Sequence, residues 1–279
     1  MRRMISYRCM LIMFMLFIPT QVVVAKKGEI NVGPIIQQER SHATIRVLTY
    51  NIHHGEGMDG KVDLSRIASV MKRLKPDIIA LQEVDRYVPR SGNVDQAAEL
   101  AELMGMHVAF GKAISLAGGE YGVATLSRYP ILSSKTTLLP MARGGEQRVL
   151  LTSQIAPARD IPPITFTGTH LEVDPKSIQA AQVDVIMELY GTSDPYILAG
   201  DLNATPNSNT IKTLRSKWVD ATAEITDWTN EEDGKIDYVM YGARESWHLA
   251  STRILKEDVA SDHRPVLAVL EWRGNGSEK

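Results

Sequence analysis

The amino-acid sequence predicts a single α/β domain, and three observations carry that prediction. Between residues 45 and 104, short apolar runs alternate with stretches whose apolar positions recur at helical spacing. The second half holds more strand-like runs than helical ones. No repeat of solenoid length and no Pro/Ser-rich linker divides the 279 residues, and a hydrophobic share of 44% suffices for a substantial core.

The first 25 residues stand apart. Arg2, Arg3 and Arg8 precede an apolar stretch from Cys9 to Ile18, and Val23, Val24 and Ala25 lead into Lys26 and Lys27, the layout of a secretory signal peptide. The expectation is cleavage near Ala25, export to a periplasmic or extracellular space, and no stable membrane span afterwards. An uncleaved N-terminal anchor is the alternative. Cleavage removes three arginines and no acid, carrying the formal charge from −2 to about −5. It also removes Cys9, the only cysteine, and with it any disulfide, thiolate nucleophile or Cys-based metal site. An acidic mature chain has no overall basic field for non-specific nucleic-acid binding. Residues 26–43 read as a linker or flexible arm, 44–273 as the main domain and 274–279 as a tail.

Taken in order, Ile45 to Tyr50 alternates as a strand and runs into a polar, glycine-bearing loop from Asn51 to Gly57. Asp63 opens a helix with Leu64, Ile67, Ala68, Met71 and Leu74 on one face and Pro76 just past its end. Asp77 to Leu81 reads as a buried strand ending in polar residues 82–86, and a second helix is expected over about Val94 to Met104. Further strands are expected at Tyr121–Ser127, Val149–Ile155, Ile164–Thr169 and Val266–Trp272, with a helix Lys176–Tyr190 closed by Gly191. The apolar run Tyr196 to Ala199 leads into Gly200-Asp201-Leu202-Asn203-Ala204-Thr205-Pro206.

Polar residues gather where these strands end, which is where ligands bind in open α/β sheets. In extended backbone Asp201 and Asn203 would share a face and suit orienting a water while gripping an anionic oxygen; both residue types are also common turn formers. Glu83 at a strand end must be paired, with Arg86 or Arg90, or bind a cation. Asn51 serves most simply as a turn residue, and His170 can be structural or catalytic. Asp237 falls within a strand pattern, either facing solvent or partnering a histidine. Ser261-Asp262-His263-Arg264-Pro265 offers that partner: Asp262 can face a cation or water while His263, oriented by Asp237, faces a substrate oxygen. An Asp-initiated turn ended by Pro265 is the alternative.

Seven short motifs then appear in order: Thr-Tyr-Asn (49–51), Leu-Gln-Glu-Val-Asp (81–85), Tyr-Gly-Val-Ala-Thr-Leu-Ser-Arg (121–128), Gly-Thr-His-Leu (168–171), Gly-Asp-Leu-Asn (200–203), Ile-Asp-Tyr-Val (236–239) and Ser-Asp-His-Arg-Pro (261–265). From about Ile45 to Trp272 the chain resembles the endonuclease/exonuclease/phosphatase superfamily, which includes pancreatic-type deoxyribonucleases, apurinic-site endonucleases, neutral sphingomyelinases and inositol-polyphosphate phosphatases. The resemblance implies a DNase-I-like fold, a four-layered α/β/β/α sandwich with two packed, mainly antiparallel sheets. It also implies Mg²⁺, with Mn²⁺ as a substitute, held by Glu83 with Asn51 and Asp262 in or beside the metal shell. By the same resemblance Asp201 orients or deprotonates water, and Asn203 holds a phosphate oxygen. His263, paired with Asp237, offsets phosphorane charge, and His170 contacts phosphate or assists the leaving group.

Arg86, Tyr121, Arg148 and Asn203 are the expected substrate contacts, Arg143 to Arg148 reads as a mobile rim loop, and Glu120 is expected to orient His170. His53 stands where some apurinic-site members carry a carboxylate, so a second metal site built on that carboxylate is not expected. His53 and His54 read as a solvent-facing pair, with substrate contact or a softer metal as alternatives. The resulting expectation is a phosphodiesterase or phosphomonoesterase acting on a small or lipid-type ester. A secreted nuclease on DNA or RNA is the alternative, and a non-catalytic binding module a more distant one. Oligomeric state is not legible.

Overall fold

The computed structural model describes residues 43–157, 161–190, 195–242 and 245–274. The expected signal peptide, nearly all of the expected arm, Gly191 and the end of the tail lie outside the described residues. In chain order the elements are β1 (Ala43–Asn51), α1 (Leu64–Leu74), β2 (Ile78–Arg86), α2 (Gln96–Met104), β3 (His107–Leu116), β4 (Gly119–Ser127), β5 (Ile131–Leu138), β6 (Val149–Ile155), β7 (Ile164–His170), α3 (Lys176–Leu189), β8 (Tyr196–Asp201), α4 (Asn209–Lys217), β9 (Val219–Asp220), β10 (Asp237–Tyr241), β11 (Trp247–Ile254) and β12 (Val266–Trp272).

They form two six-stranded sheets, ordered β11-β12-β1-β2-β4-β3 and β5-β6-β7-β8-β10-β9. Alternation along the central strands builds four layers. In β1, Ile45 and Val47 face the layer between the sheets, where Ile78, Ala80, Phe166, Ile197, Ala199 and Val239 join them. Leu48 and Tyr50 face the other way, against Ile67, Met71 and Leu74 of α1 and Leu100 of α2. In β8, Tyr196 and Leu198 meet Val183 and Ile186 of α3 and Ile211 and Leu214 of α4. Central strands apolar on both faces need cover on both. Removing the fully buried Phe166 ring is expected to cost about 3–5 kcal/mol.

The helices start and stop for local reasons. Asp63 caps α1 by accepting the Arg66 N–H at 2.9 Å, and Lys75 in a left-handed conformation ends it before Pro76. Asp95 caps α2 in the same way, and Gly105 at φ 65° closes it.

Among the described residues two strand pairs are parallel, β1–β2 and β7–β8, and each is joined through a crossover helix, α1 or α3. The ends of these pairs carry the polar residues: Asn51 aligns with Gln82, and His170 with Asp201.

Several expectations need correction. β2 does not stop at Leu81 but continues to Arg86 across an irregularity between Leu81 and Val84. β1 begins at Ala43, α2 at Gln96, and α3 ends at Leu189. β3, β5, β11 and α4 were not expected. β3, β5 and β11 are edge strands with largely exposed or half-exposed residues, so they lack the apolar alternation that marks a strand. Among the described residues, no helix is long and apolar enough to cross a membrane.

Candidate active site

At the end of the first sheet, Asn51 closes β1 and donates its amide to Glu83 Oε1 at 2.9 Å. Glu83 sits at the β2 irregularity with φ 58°, so the bulge turns its carboxylate out of the pleat. The salt bridge to Arg86 or Arg90, one of the two alternatives for Glu83, does not form: Arg90 makes a two-pronged pair with Asp85, and Arg86 pairs with Glu120. Among the described residues, no basic side chain pairs with Glu83. Ser261 fastens the 261–265 segment to this edge, its hydroxyl donating to the Asn51 carbonyl at 2.8 Å and lying 3.1 Å from Asp262 Oδ1. The oxygen-rich donor set of Glu83, Asp262 and Asn51 suits a hard divalent cation. The Asn51 side-chain oxygen already accepts the His53 N–H at 3.1 Å, leaving one lone pair there.

At the end of the second sheet, Asp201 and Asp237 face each other across the antiparallel β8–β10 pair. His263 Nδ1 meets Asp237 Oδ2 at 2.9 Å. Its Nε2 lies 3.7 Å from Asp201 Oδ2 and 3.5 Å from the Asn51 amide nitrogen. Asp201 Oδ2 also receives the Asn51 amide at 3.2 Å and stands 3.5 Å from His170 Nε2. One amide thus joins the two sheet ends. Asp237 is buried rather than solvent-facing, with Oδ1 left without a partner.

Burial and neighbouring charges together set the charge states. It raises the Asp201 pKa, and the neighbouring Asp237 raises it further; His263, the Asn203 N–H and Asn51 offset this only in part. For His263, burial works against charge, but the ion pair and hydrogen bond with Asp237, helped by Asp201 and Asp262, raise its pKa well above the histidine range. His170 goes the other way: burial, then Arg148 and His263, push it well below that range. One imidazole is therefore held cationic and its neighbour neutral.

Asn203 does not stand beside Asp201 as an extended chain would require. The strand ends at Asp201, and Asn203 takes φ 46°, so its side chain donates to the Leu171 carbonyl at 2.9 Å while its N–H bonds Asp201 Oδ1 at 2.9 Å. Gly200 does permit close approach, since a Cβ there would lie 2.1 Å from the Thr169 carbonyl oxygen.

Glu120 does not orient His170. It is bound by Arg86 at 3.3 Å and Lys112 at 3.1 Å. Arg86 is held by Glu120 and, at 3.7 Å, by Asp95. Arg148 is buried and pairs with Glu146 at 2.8 Å; these two line a cleft with Tyr121 and His170. Arg143 is exposed in the turn before them.

Glu146 is the functional candidate that sequence reasoning missed, because its surroundings, Gly144 and Gly145, read as an exposed loop. Burial raises its pKa, with Arg148 opposing. Gln96 was missed as well. It donates to the His54 carbonyl at 2.7 Å and accepts the Asp85 N–H at 2.9 Å, bracing the loop after β1 against β2. His54 is buried, contrary to the solvent-facing expectation; burial and Arg90 lower its pKa.

A pocket of about 290 Å³ opens beside Asp262 and His53, lined also by Trp228, Glu231, Glu232 and Glu257. Residues 48–263 match the Endonuclease/Exonuclease/phosphatase family. The chain belongs to that family. An uncharacterized protein of Escherichia coli K12, YbhP, is 28% identical over 171 residues, covering 57% of this chain and 67% of its own. An endonuclease/exonuclease/phosphatase from Beutenbergia cavernae is 26% identical with a TM-score of 0.71, over 84% of this chain and 73% of that one. A mannosyl-6-phosphatase of Bacteroides thetaiotaomicron shares the fold at 16% identity and a TM-score of 0.66, over 81% of this chain and 99% of its own. The DNase-I-like sandwich and hydrolysis of phosphate esters follow from membership, as does the family's general dependence on a divalent metal.

Proposed function

We propose that this chain is an exported, Mg²⁺-dependent phosphoesterase of a small or lipid-type substrate. The observation that carries the reading is the continuous set of contacts Asp237–His263–Asp201–Asn51–Glu83, which spans the ends of both sheets. Glu83 and Asp262, with the remaining lone pair of Asn51, would hold the metal, which when bound neutralises phosphate charge as it grows.

The chain's own groups divide the remaining work. Asp201 Oδ2 accepts a proton from the attacking water as its oxygen bonds to phosphorus and the opposite ester bond breaks, the leaving oxygen taking the bonding pair and then a proton from solvent. Cationic His263, held in place by Asp237, donates from Nε2 to a non-bridging oxygen. Neutral His170 provides a hydrogen bond on the same face, and Asn203 keeps Asp201 aligned through its backbone N–H.

Acidic lining supports the substrate class. Glu231, Glu232 and Asp262 face the pocket beside the site, an unfavourable path for a polyanionic strand. Met58, also lining it, is 63% exposed and joined by a backbone hydrogen bond to Val259, which is 48% exposed, so the mouth offers apolar surface. The test is hydrolysis of bis-p-nitrophenyl phosphate and p-nitrophenyl phosphate with Mg²⁺, Mn²⁺ or EDTA, beside phospholipid, plasmid DNA and RNA. Metal-dependent turnover of the small esters or phospholipid, exceeding that of the polymers, supports the reading. Preferential cleavage of DNA or RNA with a steep salt dependence would replace it with a nuclease.

A further inference from the structure

The loop after β1 holds two histidines that the hydrolytic scheme leaves unused. His53 and His54 follow one another with φ near 45° and 44°, before Gly55 at φ 79°. The loop is fixed at several points: His53 N–H to Asn51 Oδ1 at 3.1 Å, Gly55 N–H to the Ile52 carbonyl at 2.8 Å, and Gln96 to the His54 carbonyl at 2.7 Å.

Both rings are tied to the same residue, Glu56. His53 Nδ1 lies 3.2 Å from the Glu56 backbone oxygen, and His54 Nε2 lies 3.2 Å from its carboxylate Oε2. A carbonyl and an ionised carboxylate only accept, so the ring nitrogen facing each must carry the hydrogen. In the neutral ring the other nitrogen, Nε2 of His53 and Nδ1 of His54, keeps its lone pair. The latter is buried with no partner, on a residue only 7% exposed. A histidine that hands one N–H to a carboxylate or carbonyl and keeps the opposite nitrogen bare is the arrangement found around protein-bound metal ions. Glu83 completes the group: one ligand atom from each of His53, His54 and Glu83 lies within 4.8 Å of the others. Three atoms each about 2.1 Å from one ion lie about 3.0–3.6 Å apart, so the three, all within 4.8 Å of one another, close into a set with side-chain movements of at most roughly 1–2 Å.

We propose that His53, His54 and Glu83 form a nitrogen-rich metal site for an imidazole-accepting divalent ion, of the Mn²⁺, Fe²⁺ or Zn²⁺ class, adjoining the oxygen-only position and sharing Glu83 with it. A phosphate does not suit the buried lone pair, because an anion needs donors and this nitrogen is an acceptor. Arg90, the cation beside His54, is already engaged by Asp85 through two 2.8 Å bonds. Mg²⁺ disfavours imidazole, whereas the later divalent ions accept it.

The test uses Mn²⁺ as the probe, with the full chain purified free of metal. Pulsed electron paramagnetic resonance of bound Mn²⁺ reads directly coordinated nitrogen, and a titration reads affinity. The expected result is nitrogen coupling in the wild type, lost in His53→Gln/His54→Gln, with Mn²⁺ affinity lowered at least about tenfold in His53→Gln alone. His53 is half-exposed, so that single variant decides the matter if replacing buried His54 harms folding. Absence of nitrogen coupling in the wild type overturns the proposal. So does coupling that survives in the double variant, which would assign the nitrogen to His170 or His263, or unchanged affinity in His53→Gln. Hydrolysis with Mg²⁺ alone, measured in parallel, separates the two readings: turnover without nitrogen coupling removes this site and keeps the hydrolase, and the reverse result does the opposite.

Discussion

The two parallel strand pairs use one topological device for opposite electrostatic ends. In both, a strand, a crossover helix and a second strand deliver polar residues to the same edge of the molecule: Asn51 and Glu83 from the first sheet, His170 and Asp201 from the second. On the second sheet Asp201, Asp237 and His263 are all buried, and their charges are set by one another. On the first, Glu83 is half-exposed and Asp262 borders an open pocket, while the adjoining imidazoles turn one nitrogen each to Glu56. Burial is what separates them. A closed cluster trades protons among its members, and an open one with unpaired oxygens and nitrogens recruits a cation from solution.

The largest effect is expected from Asp201→Asn. Loss of the proton acceptor lowers kcat by about 10²–10⁴-fold. The melting temperature should not fall, because a carboxyl whose pKa is raised on folding has its stabilising contribution below its unfolded pKa and loses it as pH rises through the folded pKa. Asn has no ionised form to bury. A drop in melting temperature together with retained turnover would break the comparison at its buried end.

Asp237→Asn comes next, with kcat down about 10–100-fold if the partner mainly orients and charges His263. In the wild type, rate falls on the acid side as Asp201 takes a proton, above the usual carboxylate range, and on the alkaline side as His263 loses one, above the histidine range. With Asp237 neutralised, burial dominates His263 and the alkaline limb moves to lower pH. A pH–rate profile measures both limbs.

Glu83→Gln sharpens the open end. The Mg²⁺ concentration for half-maximal rate should rise about 10–100-fold, with the pH limbs unmoved. Glu120→Gln is the smallest, changing kcat/KM by less than about twofold, since it removes only partly exposed ion pairs. A large loss there would restore Glu120 to the site.

Much of this was legible because the central strands advertise themselves. β6 and β12 begin and end where their apolar runs do, and Asp63 and Pro76 bracket α1. Edge strands were not legible: β5, Ile131–Leu138, leaves most of its residues exposed and places Ser, Lys and Thr where an alternating pattern would be sought. The site divides in the same way. Asp237 with His263 was readable because an acid in an apolar strand demands a partner. Asn203 was misplaced because a left-handed backbone breaks the two-residue period, and half-exposed Glu146 and buried Gln96 were missed because what covers them comes from tertiary contacts.

The most direct measurement is the ¹⁵N NMR spectrum of the histidine rings across pH, in metal-free wild type and in Asp237→Asn. At neutral pH His263 is expected to be doubly protonated, with His54 and His170 neutral, and the substitution should move His263 alone to the neutral form. A neutral His263 in the wild type, or one whose titration ignores the loss of Asp237, would contradict the division between a proton-trading and a cation-recruiting end.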